Sequence, residues 1–368
     1  MGCLGDGCGN VRGTPEGQIM GSGLKMNQGN RRRGAWWYAR CSTGPLVWIY
    51  TVGVLAVWAL LRIGGDRWWF ATLMLYGPRW IYGLPLLVLA PLAATLRRRL
   101  IGPLGIAAAV VVGPIMGLCV PWARLASPDG RTIRVLTCNA KGHCGDNAVL
   151  NALIQTAGAD VVALQGCWGN VQIRWPPGWN VYREGELLVA SRYPLRGNRS
   201  LLGEYPPHRW PRPYILECVV QSPAGDLPFV SLHLPSPHGG IERLLDRSTL
   251  IRPSKRAAMI DQIALRRRAA EEVRGWIDGL SEAVIVAGDF NMPTDSTIYR
   301  EFWSGLANAF SESGLGFGYT EWPTVRGGQF GMRIDHILMG PRWRPRRCWI
   351  GPDIGSDHLP LLADLVAR

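Results

Sequence analysis

The sequence predicts an all-α membrane region followed by a layered α/β domain. Three observations carry this: apolar, nearly uncharged runs between residues 45 and 123, a change of composition near Ala123, and short β-branched runs alternating with helical segments beyond it. A chain of 368 residues is also too long for one ordinary domain. The mean hydropathy of +0.04 averages two unlike parts. The expected organisation is a basic, disordered tail over 1–40, a transmembrane region of about three helices over 41–123, and a soluble domain over 124–368.

The first thirty or so residues are Gly-rich, as in disordered segments, and Met20 or Met26 is an alternative start. Met1-Gly2-Cys3 lacks Ser or Thr at the sixth position, so the myristoylation pattern is not met. Arginines and further apolar runs after the first run argue against a cleaved signal peptide. Pro45–Leu61 and Trp80–Leu96 are at the short end of what crosses about 30 Å of hydrocarbon, and Leu100–Ala123 is ample. Trp48, Trp58, Trp68, Trp69, Trp80 and Trp122 lie in or beside these runs, several where an interfacial aromatic belt belongs. The spans hold no acid or paired charge apart from Arg79 at an edge, which argues against a transporter or channel.

Arg31, Arg32, Arg33 and Arg40 precede the first run, and Arg97, Arg98 and Arg99 separate the second from the third. The positive-inside rule puts both groups in the cytoplasm, so three spans deliver the C-terminal domain to the opposite side. Trp68–Pro78 is too short to span alone and reads as an interfacial piece or the start of a tilted second span; were it to cross, the domain would be cytoplasmic.

The formal net charge of +13 favours anionic partners, phosphodiesters or acidic lipid headgroups, and equally suits a membrane anchor or a soluble surface. Nine cysteines form no CxxC pair, which argues against structural zinc. The soluble part holds five of them, so at least one stays unpaired in an oxidising compartment. Cys138 and Cys144 are close enough in sequence to pair, but Cys138 reads as a buried strand thiol.

Strands are expected at Ile133–Cys138, Val161–Leu164, Leu187–Ser191, Tyr214–Val220, Phe229–Leu234, Val284–Ala287, Ile334–Met339 and Pro360–Leu365, with one long helix at Pro253–Asp278. In that helix Met259, Ile263, Ala270, Val273 and Ile277 recur at helical spacing, and Arg266, Arg267 and Arg268 between them read as a solvated face. Several strands end in residues that a core rejects: Asn139, His233, Asp289 with Asn291, Asp335 with His336, and Asp357-His358. Acids, amides and histidines at strand ends build a site on an open α/β scaffold, and one shared cleft is their expected destination.

Taken in order, TCN (137–139), DVVALQ (160–165), LVASRYPL (188–195), SLHL (231–234), GDFN (288–291), GFGYT (316–320), RIDHI (333–337) and SDH (356–358) resemble the endonuclease/exonuclease/phosphatase superfamily, the deoxyribonuclease-I-like group. GDFN followed by RIDHI and SDH is the specific part of the match. The resemblance implies a four-layer α/β sandwich with the site on loops at one edge. It also implies roles. Asp289 would orient or deprotonate water, Asn291 would hold a phosphoryl oxygen, and His358 would face the phosphate with its tautomer fixed by Asp335. His233 would be a second phosphate-facing histidine and the acid for the leaving oxygen, and Asn139 and Asp357 would lie beside a magnesium or manganese ion. His336 is left structural.

The sequence departs from the family's pattern at Gly166, where DVVALQ is normally followed by a Glu that ligates the metal. Gln165, Asp357, Glu184 or Glu186 are the residues that could compensate, while either of the two glutamates could instead pair with His233. The expected function is a membrane-anchored, metal-dependent hydrolase of phosphoric esters acting on nucleic acid or phospholipid. The alternative is a catalytically impaired member that binds an anionic ligand or protein partner.

Overall fold

In the computed structural model, which describes residues 20–121, 130–145, 147–204, 211–237, 253–325 and 328–368, the chain divides into two compact units. Among the described residues, one comprises the chain from Met20 to Gly53 together with Leu84–Ala107; the other comprises Val54–Gly83 and the described part of Ala108–Arg368. The first helix, α1 (Met20–Gly64), starts within the stretch expected to be a disordered tail. No proline interrupts the chain from Met20 to Gly44, so the helix extends upstream of the apolar run. Met1-Gly2-Cys3 lies outside the described residues.

Three helical stretches, Trp36–Gly64, Arg79–Leu96 and Arg98–Ile115, are long and apolar enough to cross a membrane. The second and third contain α3 (Leu86–Leu96) and α4 (Ile101–Val110). In the first unit Val47, Leu89, Ala93 and Leu104 pack together, while Ile49, Val52, Leu87 and Ile106 stay exposed, as lipid-facing side chains would. The third stretch ends short of the expected Ala123. Pro114 sits in its last, widened turn, Gly117 takes φ +81°, and Cys119 then exchanges backbone hydrogen bonds with Gly316 at 2.8 and 3.1 Å. Residues 116–121 lie in the second unit, which resumes at Ala108; Trp122 and the expected boundary at Ala123 lie outside the described residues.

The segment Trp68–Pro78 holds a short separate helix, α2 (Trp69–Leu75), and does not start the second span. Trp69 and Leu73 rest on Met259 and Ile263 of the soluble domain's long helix.

That domain contains β1 (Thr132–Asn139), α5 (Ala148–Thr156), β2 (Val161–Gln165), β3 (Asn180–Glu184), β4 (Leu187–Ser191), β5 (Leu195–Gly203), β6 (Arg212–Ser222), β7 (Gly225–His233) and α6 (Pro253–Asp278). There follow β8 (Ile285–Asp289), α7 (Thr297–Phe302), β9 (Ala307–Asn308), α8 (Ala309–Ser313), β10 (Thr324–Val325), β11 (Gly328–Gln329), β12 (Asp335–Met339), β13 (Trp343–Ile350) and β14 (Leu361–Ala367). Two six-stranded sheets form, ordered β13-β14-β1-β2-β4-β3 and β5-β6-β7-β8-β12-β9, and β10 pairs with β11.

Strand alternation makes four layers of this. Ile133 and Val135, Val161 and Ala163, Phe229, Ile285 and Ala287, and Ile337 all point into one core between the sheets. Their odd-numbered parity leaves Leu136, Cys138, Val162 and Leu164 to pack on Leu150 and Ile154 of α5. On the other side Val230, Leu232, Val286 and Leu338 pack on Ala269, Ala270, Val273 and Ile277 of α6. The result is the deoxyribonuclease-I-like α/β sandwich, helix–sheet–sheet–helix. One side chain of α6 departs from the expected solvated face: Arg266 is buried.

Candidate active site

The inward parity continues to the strand ends, where the core becomes polar. Thr137 and Asn139, Gln165, Ser231 and His233, Asp289, and Asp335 follow the apolar inward positions of β1, β2, β7, β8 and β12. Parallel pairing aligns Asn139 with Gln165 and His233 with Asp289, and antiparallel pairing sets Asp335 opposite Asp289, so these ends share one edge. Gln165 Nε2 donates to Thr137 Oγ1 and Ser231 Oγ, both at 3.2 Å, tying the two sheets together beneath the cleft.

Asp289 is at the centre. Its Oδ2 accepts from Asn139 Nδ2 at 2.9 Å and its Oδ1 from the Asn291 backbone N–H at 2.8 Å. His233 Nε2 and His358 Nε2 stand 3.6 and 3.8 Å from the same Oδ2. Gly288 lets this strand approach β7, because a Cβ there would lie 1.9 Å from the Leu232 carbonyl oxygen. Asn291 takes φ +53°, a conformation that costs a non-glycine residue about 1–2 kcal/mol, and its Nδ2 donates to Leu234 O at 2.8 Å.

His358 pairs through Nδ1 with Asp335 Oδ2 at 2.8 Å, leaving Nε2 toward Asp289 and, at 3.8 Å, Glu321 Oε1. Burial alone would lower its pKa, but Asp335, Asp289 and Glu321 together push it up to about 10. The ring is therefore an imidazolium at neutral pH. Its position is fixed by Ser356, which accepts from the His358 N–H and donates to the Asn139 carbonyl, while Thr320 Oγ1 accepts from the N–H groups of Ile334 and Asp335. His233 Nδ1 meets Glu186 Oε1 at 3.0 Å; burial lowers this histidine's pKa, and Glu186 and Asp289 more than restore it. Parity turns His336 the other way. Its Nε2 faces Met292 O, its Nδ1 faces Asn308 Nδ2, and burial keeps it neutral with a pKa of about 3.

Of the seven residues singled out in the sequence, Asn139, His233, Asp289, Asn291, Asp335 and His358 form one contiguous group. Asp357 stands apart, half exposed, and pairs with the ammonium of Lys141. Lys141 also donates its backbone N–H to Asn139 Oδ1 at 3.1 Å. Burial would lower the Lys141 pKa, but Asp357, Glu321 and Asp289 raise it, so it stays charged.

Sequence reading missed Lys141 and Glu321. Lys141 lies two positions past TCN, and Glu321 directly follows GFGYT, so proximity to a motif was the available signal. Glu321 is fully buried; burial is the main cause that raises its pKa to about 8, with His358 opposing and Asp289 adding to the rise. Cys144 and Cys167 form a disulfide, while Cys138 is a buried free thiol.

Asp289, Asp335 and His358 each bring a ligand atom to within 4.8 Å of the others, close enough to hold a metal ion. In this group Asp335 Oδ2 is also bonded to the His358 ring at 2.8 Å. The resemblance implies the metal beside Asn139 and Asp357 instead. Gly166 has φ +66°, and a Cβ there would lie 2.5 Å from Asn139 Oδ1 and 2.9 Å from the Lys141 nitrogen, so the missing carboxylate has no room. Asn139 and Asp357 are both engaged by Lys141. The expected magnesium site therefore lacks its glutamate, and Asn139 and Asp357 are its remaining expected ligands.

Residues 136–358 match the family model described as endonuclease/exonuclease/phosphatase family. No curated protein matches the chain. Among solved structures, a Bacteroides thetaiotaomicron endonuclease/exonuclease/phosphatase family protein is 15% identical with TM-score 0.46, covering 66% of this chain and 100% of that one. An Archaeoglobus fulgidus AP endonuclease is 14% identical, TM-score 0.44, with 63% and 98% covered. A D. rerio TDP2 complexed with single-strand DNA product is 17% identical, TM-score 0.43, with 64% and 98% covered.

Proposed function

The chain belongs to the endonuclease/exonuclease/phosphatase family, and on that premise we propose that it is a membrane-anchored hydrolase of phosphoric esters acting outside the cytoplasm. The observation that carries this reading is Asp289, held by Asn139 and Asn291 and facing the imidazolium of His358. A carboxylate oriented by two donors accepts a proton from water as the water oxygen bonds to phosphorus. Negative charge that builds on the phosphoryl oxygens meets the His358 imidazolium and the remaining N–H of the Asn291 amide. The bond from phosphorus to the leaving oxygen breaks, and His233, kept protonatable by Glu186, supplies that oxygen's proton.

Members of this family typically work with divalent metal ions, and magnesium is the ion the resemblance implies. Lys141, whose backbone N–H meets Asn139 Oδ1, brings its ammonium to Asp357, and charge arithmetic favours the exchange: a glutamate with a divalent ion brings one net positive charge, as does a glycine with an ammonium.

Two independent features support the outward placement of the domain. The arginines at 31–33 and 97–99 flank spans so as to favour the cytoplasmic side for both groups, and the Cys144–Cys167 disulfide suits an oxidising compartment. Both nucleic acid and phospholipid satisfy the chemistry of the cleft.

Hydrolysis of bis-p-nitrophenyl phosphate, single-stranded DNA and phosphatidylglycerol vesicles by the full chain in detergent tests the reading. Turnover of at least one, abolished in Asp289→Asn, supports it. A wild-type protein inert on all three, or an Asp289→Asn variant as active as wild type, returns the chain to the alternative reading, a protein that binds an anionic ligand through this cleft.

A further inference from the structure

Asp66 stands just past the end of α1, in the loop Gly65–Pro78 between the first two membrane-crossing stretches. It is 2% exposed and meets Arg266, 1% exposed, at 2.8 Å. Ser296 donates its hydroxyl to the second Asp66 oxygen, and the Asp66 N–H donates to Thr297 Oγ1 at 3.2 Å. Arg266 Nη2 reaches the Asn291 carbonyl oxygen at 2.9 Å and the Tyr76 hydroxyl. Tyr76, also in this loop, donates to that same Asn291 carbonyl at 3.1 Å. A second tie runs from Arg79 to Asp295 at 2.8 Å.

A buried ion pair is a poor way to gain stability, because removing two charges from water costs about as much as their attraction returns. Its better-attested use is to fix one geometry. The geometry fixed here is that of Asn291, one of two non-glycine residues with positive φ among the described residues. Both donors converge on its carbonyl and so hold the peptide plane that follows this left-handed residue. The same residue's N–H holds Asp289 Oδ1, and its amide is aimed by Leu234 O.

We propose that the loop Gly65–Pro78 is a working part of the active site, with Asp66, Tyr76 and Arg266 as positioning residues. They hold Asn291 in its left-handed conformation and thereby aim both its amide and Asp289. This rests on the hydrolytic reading for its effect on turnover, though not for its effect on the loop. The membrane region is then more than a tether, and a soluble fragment starting at residue 124 lacks two of the three clamp residues.

The test uses the full chain in detergent with bis-p-nitrophenyl phosphate. Tyr76→Phe keeps the ring and removes one donor to Asn291 and one acceptor for Arg266; kcat should fall about tenfold with KM unchanged, and the melting temperature should drop by only a few degrees. Because Asp66→Asn would strand a buried guanidinium, the double variant Asp66→Leu with Arg266→Met removes both charges together. It should fold as well as wild type, lose about a hundredfold in kcat, and show faster amide hydrogen exchange in the peptide covering 289–297. A folded double variant with wild-type kcat and wild-type exchange overturns the proposal. If wild type turns over no phosphate ester, the hydrolytic reading fails by itself, and the exchange comparison still decides the clamp: unchanged protection of 289–297 overturns it.

Discussion

The two walls of the cleft differ in how closely they keep the family's chemistry. The wall from β7, β8 and β12 carries His233, Asp289, Asn291 and Asp335, and its acids and histidines meet at hydrogen-bonding or near-contact distances. The wall from β1 and β2 carries Asn139, Lys141 and Gly166; there the expected glutamate is a glycine, and the Lys141 ammonium pairs with Asp357. On the proposed hydrolytic mechanism, the difference amounts to two solutions of one charge requirement. A site that must offset developing negative charge needs net positive charge at a fixed place, and the fold supplies the place whichever cation fills it.

The largest expected effects break the first wall. Asp289→Asn keeps the shape and removes the base, so kcat should fall about a thousandfold, within the range for general-base catalysis. His358→Gln removes the imidazolium and should cost about a hundredfold, measured on the same substrate. An Asp289→Asn loss below tenfold would locate the base elsewhere.

The second wall is tested next. With Lys141 as the cation, a chelator should change the wild-type rate less than about twofold, whereas Lys141→Ala should lower kcat about a hundredfold, as removal of a preorganised charge does elsewhere. A rate abolished by the chelator and restored by magnesium would return this wall to the family's pattern. Gly166→Glu should restore nothing: the left-handed backbone and the 2.5 Å approach to Asn139 Oδ1 predict a loss of about 2 kcal/mol in stability, read by thermal unfolding.

How legible each wall was follows from the same contrast. Strands buried on both faces, such as Leu187–Ser191 and the Val161–Leu164 part of β2, were visible because every residue in them is apolar or small. The strands Asn180–Glu184, Leu195–Gly203 and Trp343–Ile350 were not, because they lie at sheet edges, where Arg, Asn and Gly face solvent and mask the alternation. Asp289 and His358 sit inside motifs whose spacing announces them. Lys141 and Glu321 lie beside motifs rather than within them, Asp66 meets its partners only through long-range contacts, and Arg266 was hidden in a basic run that reads as surface. A buried arginine is recognisable only once its acid partner, two hundred positions away in the chain, is in place.

The smallest effect joins the two walls through Glu321, which faces His358 on one side and feels Lys141 on the other. Its folded pKa of about 8 lies above the ordinary 4.5, so between those values the native state holds a proton that the unfolded chain has released. Stability from this group therefore falls as pH rises through that window, with no contribution below it and the full penalty above it. Glu321→Gln removes the titration, so its melting temperature should match wild type near about pH 4.5 and exceed it by a few degrees above about pH 8. His358 has the opposite form. Its folded pKa of about 10 exceeds the ordinary 6.5, so the stability it contributes is complete below 6.5 and lost as pH rises through 10. His358→Gln should accordingly be less stable than wild type near neutral pH and converge with it in alkali. The two variants thus move apart from wild type in opposite directions near about pH 8, and equal, pH-independent offsets would mean that these buried groups do not titrate as a charged pair.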